Sequence, residues 1–538
     1  MPGDSAVPRT VPSMLLASAE RFGDDLAVID GETTLTFHQL RDAAFEVARA
    51  AIAQGITPGD RVGIWAPNSA RWIVTSLGLH CAGAIVVPIN TRYRGGEARE
   101  ILARVRARAV VVDGGFLGFD YAGAAAATDD DEAVNAALAE LVVIDMKAEP
   151  VQAQRRLGWT EFLERAAEVS IEAARATAKA VEPTALAEII FTSGTTGRAK
   201  GVTIPHGTSL DLYADFGRIW GLRPGDRYLV TLPFFHTGGN KAGMIASIMH
   251  GVTIVPMPVF EAAEAMRLIQ AHRVSVMNGS PTIYYSLLES PQRAHYDLGS
   301  LRVASTGAAV VPVALVERAR TELPFQHLIT AYGMTECFGT ATMCRMGDSF
   351  EVIANTNGRA LPGVELRAVG LDGSDLAPGE PGEILIRGAS VTPGYWEDPS
   401  GTADAIDADG WLHSGDVGTL DADGNLKITD RIKDLFFVGG FNVSPAEVEQ
   451  VLARHPAVAE VAVIGVPDER LGEVAKAYVV RRLDATPATA EEIIAWARER
   501  VANFKVPRFI TFVQTLPRNA SGKVVKGDLR ADNRQVTP

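Results

Sequence analysis

The sequence predicts an α/β protein with more than one domain, and three observations carry that reading. Short apolar strand-like runs alternate with helical stretches over 13–113 and again over 227–345, the pattern of layered α/β units. Between 355 and 430, many Gly, Pro and Asp residues separate short runs, which marks a smaller β-rich subdomain. After the charged segment 430–434 a fresh α+β unit of domain size begins with its own helix signal.

Taken in order, 97–107 reads as an amphipathic helix and 109–112 as a buried strand. The alanine-rich stretch 118–140, with Asp129, Asp130, Asp131 and Glu132, reads as a solvated loop or a helix start. An apolar strand at 186–191 runs into a loop of hydroxyls and glycines, and 202–204 looks like a second strand. Further strands are expected at 228–232, 253–256, 274–277 and 301–305, then at 365–369, 383–387 and 425–429. Ser444-Pro445-Ala446-Glu447 is a helix start: the serine caps, proline suits the first position, and the glutamate closes a capping box. That helix runs toward Arg454, with strands at 458–466, 475–480 and 509–513 and a helix at 489–502.

Composition narrows the function classes. A chain of 538 residues, 47% hydrophobic and 22% charged, can bury a sizeable core. Its net charge of −14 argues against nonspecific nucleic-acid binding, which needs a basic face. Cys81, Cys337 and Cys344 form no CxxC pair, so neither a disulfide framework nor a zinc site is expected. A reducing cytoplasm is the expected compartment. No basic run leads into an apolar segment at the start, and no uninterrupted apolar stretch of about 18 residues occurs. Neither a signal peptide nor a transmembrane helix is expected.

The most informative segment is Thr192-Ser193-Gly194-Thr195-Thr196-Gly197-Arg198-Ala199-Lys200-Gly201. Glycines let backbone approach a ligand closely, N–H groups and hydroxyls donate to phosphate oxygens, and lysine adds a point charge. It is not a Walker A loop, because Ala199 stands where the second glycine belongs and Gly201 follows Lys200. Strand–loop–strand, a flap over a polyphosphate, fits better than a helix-dipole cradle.

Four further segments offer matching chemistry. In Tyr332-Gly333-Met334-Thr335-Glu336 a ring can stack on a base and a carboxylate can hold Mg²⁺ on phosphates. Ser305-Thr306-Gly307-Ala308-Ala309 allows close approach of a flat ligand, or is a tight turn. Asp416, in Trp411-Leu412-His413-Ser414-Gly415-Asp416, can accept both hydroxyls of a ribose or belong to a turn. Arg518-Asn519-Ala520-Ser521-Gly522-Lys523 is a flexible loop ending in a cation.

In this order the segments resemble the adenylate-forming superfamily of acyl- and aryl-CoA synthetases, peptide-synthetase adenylation domains and luciferase, over about residues 13–530. The resemblance implies a large domain (1–430), a hinge (431–433) and a small mobile domain (434–538). It implies ATP, Mg²⁺ and coenzyme A acting on a small-molecule carboxylic acid, in a monomer or homodimer. Thr192, Ser193, Gly194, Thr195, Thr196, Gly197 and Lys200 would hold phosphates. Tyr332, Gly307, Ala308 and Ala309 would bind adenine, and Asp416 and Arg431 the ribose. Thr335 would contact phosphate, Glu336 the metal, and Lys523 the carboxylate and α-phosphate. Lys433 falls at the hinge, and Gly439, Gly440, Phe441 and Asn442 match the loop that enters for thioester formation.

In that family the acid lies against the segments 233–243, 279–285 and 332–339, which implies His236, Asn240, Lys241, Tyr284, Gly333, Met334 and Phe338 as acyl-site residues. Lys241 either points to solvent or meets a polar group on the substrate, since a cation is costly to bury unpaired. Coenzyme A is the expected thiol, because 15 residues after Lys523 are too few for a carrier domain. A narrower likeness, to actinobacterial acyl-CoA synthetases of steroid breakdown, implies a bicyclic steroid-derived propionate as the acid. A fatty or aryl acid, or a free-standing enzyme loading a carrier protein, are the alternatives.

Overall fold

The structure is a computed structural model that describes residues 8–129, 131–147, 155–192, 199–307, 311, 313–370, 372–431, 434–438, 441–468, 470–482, 485–519 and 523–536. Among them, four sheets organise a large N-terminal domain and a small C-terminal domain.

The first sheet has seven strands in the order Arg156–Gly158, Val142–Asp145, Ala109–Val112, Arg61–Trp65, Ile85–Pro88, Leu186–Thr192 and Lys200–Pro205. It is parallel up to its last pair, which is antiparallel with Thr192 opposite Lys200. Ala109–Val112 is buried throughout, as the unbroken apolar run of a doubly covered parallel strand requires. The second sheet has nine strands, and at its centre Thr253–Pro256, Arg227–Val230, Val276–Gly279, Val303–Thr306 and His327–Tyr332 run parallel. One continuous core joins the helices to both sheets; Trp72 packs on Phe234 with ring centroids 5.0 Å apart.

The 355–430 region is β-rich as predicted, an antiparallel sheet of Val364–Val369, Gly382–Gly388, Leu412–Leu420 and Leu426–Arg431. The C-terminal sheet centres on Gly472–Arg481, flanked by Val458–Asp468 and Phe509–Val513, and has a core of its own that includes Val448, Leu452, Ile464, Val479 and Ile493. No described helix is long and apolar enough to cross a membrane. All three cysteines are buried free thiols.

Several expectations shift. The strands expected at 274–277 and 301–305 lie at Val276–Gly279 and Val303–Thr306, carrying their carboxyl ends nearer the site. The 118–140 stretch forms two short helices, Tyr121–Ala126 and Glu132–Ala137; Tyr121 stacks edge-on against Trp65 at 4.7 Å, and Ala122 and Ala125 are buried. Its first half is therefore packed rather than solvated. Ser444 caps Pro445–Leu452 by accepting from the Glu447 N–H at 3.0 Å, but the box stays half-closed. The Glu447 carboxylate accepts from Lys505 at 2.6 Å, and the Ser444 hydroxyl donates to Asp430 instead.

Candidate active site

The site segments follow the carboxyl ends of parallel strands, where open α/β sheets bind ligands. The π-turn helix Gly238–Ile245 lies beyond Arg227–Val230, Gly279 ends its strand, Gly307 follows Thr306, and Tyr332 ends His327–Tyr332. Two cross-links lock these ends together. Thr231 Oγ1 donates to the Asn278 carbonyl at 2.9 Å, and Asn278 Nδ2 to the Gly238 carbonyl at 3.3 Å. A side chain at Gly307 would meet the Ala331 carbonyl at 2.8 Å, so its bareness lets the neighbouring strand approach. A side chain at Gly333 would meet the Gly339 carbonyl at 2.4 Å, so glycine is needed where the 332–340 segment folds back on itself.

The predicted strand–loop–strand around the phosphate loop is an antiparallel pair, Leu186–Thr192 with Lys200–Pro205. Ser193, Gly194, Thr195, Thr196 and Gly197, with Ala308, Ala309, Lys433, Gly439 and Gly440, lie outside the described residues. Lys200 Nζ stands 4.7 Å above the Tyr395 ring. Tyr395 in turn donates its hydroxyl to Glu336 Oε1 at 3.0 Å. The chain beside Tyr395 is stitched to the second strand of the pair: the Thr203 N–H donates to the Gly394 carbonyl at 3.2 Å and Trp396 N–H to that of Gly201 at 2.7 Å. Thr392 N–H donates to the Glu336 carbonyl at 2.8 Å. The acid and the lysine are thus held on one scaffold, with Thr335 in the short turn Thr335–Cys337 beside them.

Tyr332 donates to Asp416 Oδ2 at 2.7 Å. Burial, then the Asp416 carboxylate, pushes the phenol well above its ordinary pKa, so it stays a donor. Asp416 is buried and pairs in register with Arg431 across Leu412–Leu420 and Leu426–Arg431. Ring, acid and the backbone of Arg431 therefore meet at one place. The backbone of Phe441 pairs with that of Val438.

In the acyl segments, His236, Gly333 and Met334 are half-buried, and burial lowers the His236 pKa to about 4, which keeps it neutral near pH 7. Four expected positions need correction. Lys241 does not point to solvent: it is fully buried, with Nζ 2.9 Å from Glu188 Oε1 in an ion pair. Asn240 Nδ2 donates to the same oxygen at 3.1 Å and is buried with it. Tyr284 is a core residue; its hydroxyl donates to the Ser305 carbonyl at 2.7 Å, bracing two strand ends. Phe338 is likewise buried in the core, its carbonyl accepting from Tyr213 at 2.9 Å.

The C-terminal loop reaches this site. Arg518 Nη1 donates to Thr282 Oγ1 at 3.0 Å, within the acyl segment, while its Nη2 holds Glu460 at 2.8 Å. Arg92 donates to the Asn519 carbonyl at 3.4 Å. The turn is closed by Asn519 N–H to the Lys523 carbonyl at 2.8 Å and Lys523 N–H to Asn519 Oδ1 at 2.9 Å. Sequence reasoning missed Glu188, Thr392 and Tyr395: Glu188 stands alone in an apolar strand, whereas the Ser390-Val391-Thr392-Pro393-Gly394-Tyr395 run, with its hydroxyls and glycine, is the signal that could have found the other two.

Fold and site together define the adenylate-forming class. The AMP-binding enzyme model matches residues 15–396 and the AMP-binding enzyme C-terminal domain model matches 447–523, and the chain belongs to this family of AMP-binding enzymes. It is 47% identical, over 98% of its length and 99% of the relative's, to the 3-[(3aS,4S,7aS)-7a-methyl-1,5-dioxo-octahydro-1H-inden-4-yl]propanoyl:CoA ligase of Rhodococcus jostii. A protein of the same name from Mycobacterium tuberculosis is also 47% identical, over 97% of this chain and 98% of that one. Among solved structures, the anthranilate CoA ligase AuaEII in complex with anthranoyl-AMP superposes with a TM-score of 0.86 at 27% identity, covering 98% of both chains.

Proposed function

We propose that this chain is an AMP-forming acyl-CoA ligase acting on a bicyclic, steroid-derived propionate. The observation that carries the chemistry is the convergence of Tyr332, Asp416 and Glu336 with the Thr192–Lys200 strand pair at one set of strand ends. The acid is supported by the identity to the two relatives named above.

In the first half-reaction the substrate carboxylate attacks the α-phosphate of ATP, and pyrophosphate leaves. A carboxylate is already ionised near neutral pH, so no general base is required. Positioning and charge neutralisation supply the acceleration. In this reading Tyr332 stacks on adenine beside Gly307, Asp416 and Arg431 hold the ribose, and the 192–200 loop and Thr335 hold the phosphates. The Arg518 and Asn519 contacts with the N-terminal domain support Lys523 as the cation that meets the carboxylate and α-phosphate. Neutral His236 borders the acyl carbonyl without adding charge.

Glu336 offers one buried carboxylate, and no group of three metal-binding side chains occurs among the described residues. That donor set fits Mg²⁺ carried in on the nucleotide, since this ion keeps most of its shell from phosphates and water. When bound it would neutralise phosphate charge.

In the second half-reaction the small domain turns about Lys433 and presents 439–441. The thiol of coenzyme A then attacks the acyl carbonyl and AMP leaves. The division 1–430, 431–433 and 434–538 follows from this reading, which is supported by the separate C-terminal core.

The test is AMP release with Mg-ATP and coenzyme A across acetate, octanoate, palmitate, benzoate, a coumarate and the bicyclic propionate. Preference for the bicycle is expected. Preference for a linear or aromatic acid overturns the substrate assignment and leaves the ligase chemistry standing.

A further inference from the structure

The chemistry above leaves unused a buried charged cluster in the heart of the large domain. Glu188 and Lys241 are both fully buried, 2.9 Å apart, and Asn240 shares the Glu188 oxygen. His80, also fully buried, stands 3.9 Å from that oxygen, and His206 lies edge-on to it at 5.4 Å. Burial lowers His80 to about 4 and His206 well below its ordinary value, so both rings are neutral near pH 7. His206 Nδ1 accepts from the Val11 N–H, as a neutral ring can. Lys241 is therefore the cation that balances Glu188.

Such a pair is a poor device for stability. Desolvating two charges costs several kcal/mol each, and apolar residues of like volume often do as well or better. Its location indicates what it does. Glu188 lies in the Leu186–Thr192 strand, four residues before Thr192; alternation places both side chains on one face, and Thr192 opens the phosphate loop. Asn240 and Lys241 lie in Gly238–Ile245, a π-turn helix, a form frequent at functional sites. That helix continues directly from His236, whose carbonyl accepts from the Gly239 and Asn240 N–H groups at 3.1 and 2.9 Å. The cluster thus ties the wall of the acyl site to the strand that carries the phosphate loop.

We propose that the Glu188–Lys241 pair is a strut that sets the distance between acyl carboxylate and α-phosphate in the first half-reaction. Lys241 is a positioning residue, acting through His236 and Thr192 rather than by touching the acid. This rests on the ligase reading above. It replaces the expectation that Lys241 meets the substrate, and the two differ in outcome: a strut serves every acid alike, a ligand contact favours one.

The experiment compares wild type, Lys241→Met, Glu188→Gln and the double variant Glu188→Leu with Lys241→Met. Each is measured for thermal midpoint, for acid-dependent ATP–pyrophosphate exchange with the bicyclic propionate and with octanoate, and for thioester formation from supplied acyl-adenylate. Misplacing reacting groups by about 1 Å can cost about a hundredfold. Lys241→Met is expected to lower exchange kcat/KM about tenfold or more, by the same factor for both acids. The double variant is expected to return to within about 2 °C of the wild-type midpoint and yet keep that loss. Thioester formation is expected to stay within about threefold of wild type in every variant.

Exchange that recovers together with the midpoint overturns the strut, since the pair would then be structural only. A loss confined to one acid overturns it in favour of direct contact. Wild-type exchange in Lys241→Met also overturns it. If the double variant does not fold, Glu188→Gln carries the comparison: it keeps shape and an acceptor for Asn240, and retained exchange there is equally fatal. Should wild type prefer another acid, the substrate assignment fails, and the strut is read on that acid with the same expectations.

Discussion

Replacing Tyr332 by Phe isolates one bond and leaves the ring in place. The Tyr332 hydroxyl donates to Asp416 Oδ2 at 2.7 Å, and Asp416 is only 5% exposed, so water does not readily take the vacated position. A hydrogen bond to a charged group is worth about 1.5–3 kcal/mol. The carboxylate is held by that bond, while the backbone N–H of Asp416 donates to Ser414 Oγ at 3.1 Å and fixes the main chain beneath it. Losing the brace lets Asp416 drift from the ribose, and about 1.5 kcal/mol corresponds to roughly tenfold in binding. The assay is acid-dependent ATP–pyrophosphate exchange with ATP varied at saturating acid. KM for ATP is expected to rise about tenfold while KM for the acid holds. Tyr332→Ala is expected to raise KM for ATP further, because base–aromatic stacking adds about 1–3 kcal/mol. An unchanged KM for ATP in Tyr332→Phe, or a rise in the acid KM instead, would refute the assignment of this pair to the nucleoside.

Tyr395→Phe removes the donor to Glu336 while leaving the ring under Lys200; pyrophosphate exchange is expected to fall several-fold with a steeper dependence on Mg²⁺ concentration, measured by metal titration of the exchange rate. Lys523→Ala is expected to cripple exchange yet spare thioester formation from supplied acyl-adenylate; equal loss in both half-reactions removes it from the first step. Acid should destabilise the fold through His80. Its pKa, lowered by burial to about 4, lies below the ordinary 6.5, so the unfolded chain binds the extra proton first. The stability that comes from keeping the ring neutral is full above pH 6.5 and is lost as pH falls toward 4, on the order of 3 kcal/mol for a ring with no exposure. Denaturant unfolding at pH 7 and pH 4.5 is expected to show a smaller difference in His80→Gln than in wild type.

Local patterns made much of this legible in advance. The run 109–112 and the two apolar runs that flank the hydroxyl–glycine segment each carry their geometry in a few residues, and these strands form as expected. Tyr332 and Asp416 each offer nucleoside-binding chemistry in their own segments, but their mutual bond joins positions 84 residues apart and leaves no local trace. The acyl segments were the least legible. Tyr284 and Phe338 have the size and polarity of pocket residues and of core residues alike, and only the packing of four strand ends puts them inside. Lys241 looked anomalous because its partner, Glu188, stands in an apolar strand far along the chain, where a lone acid reads as a surface position.

The central claim is a ligase that works through an enzyme-bound adenylate, and single-turnover chemistry tests it most directly. Enzyme in excess over the bicyclic propionate is mixed with Mg-ATP without coenzyme A, and products are followed by rapid quench. Pyrophosphate is expected to appear stoichiometrically with acyl-adenylate, and later addition of coenzyme A to discharge it to thioester and AMP. Pyrophosphate that appears only after coenzyme A is added, or an adenylate that coenzyme A leaves intact, would contradict the account.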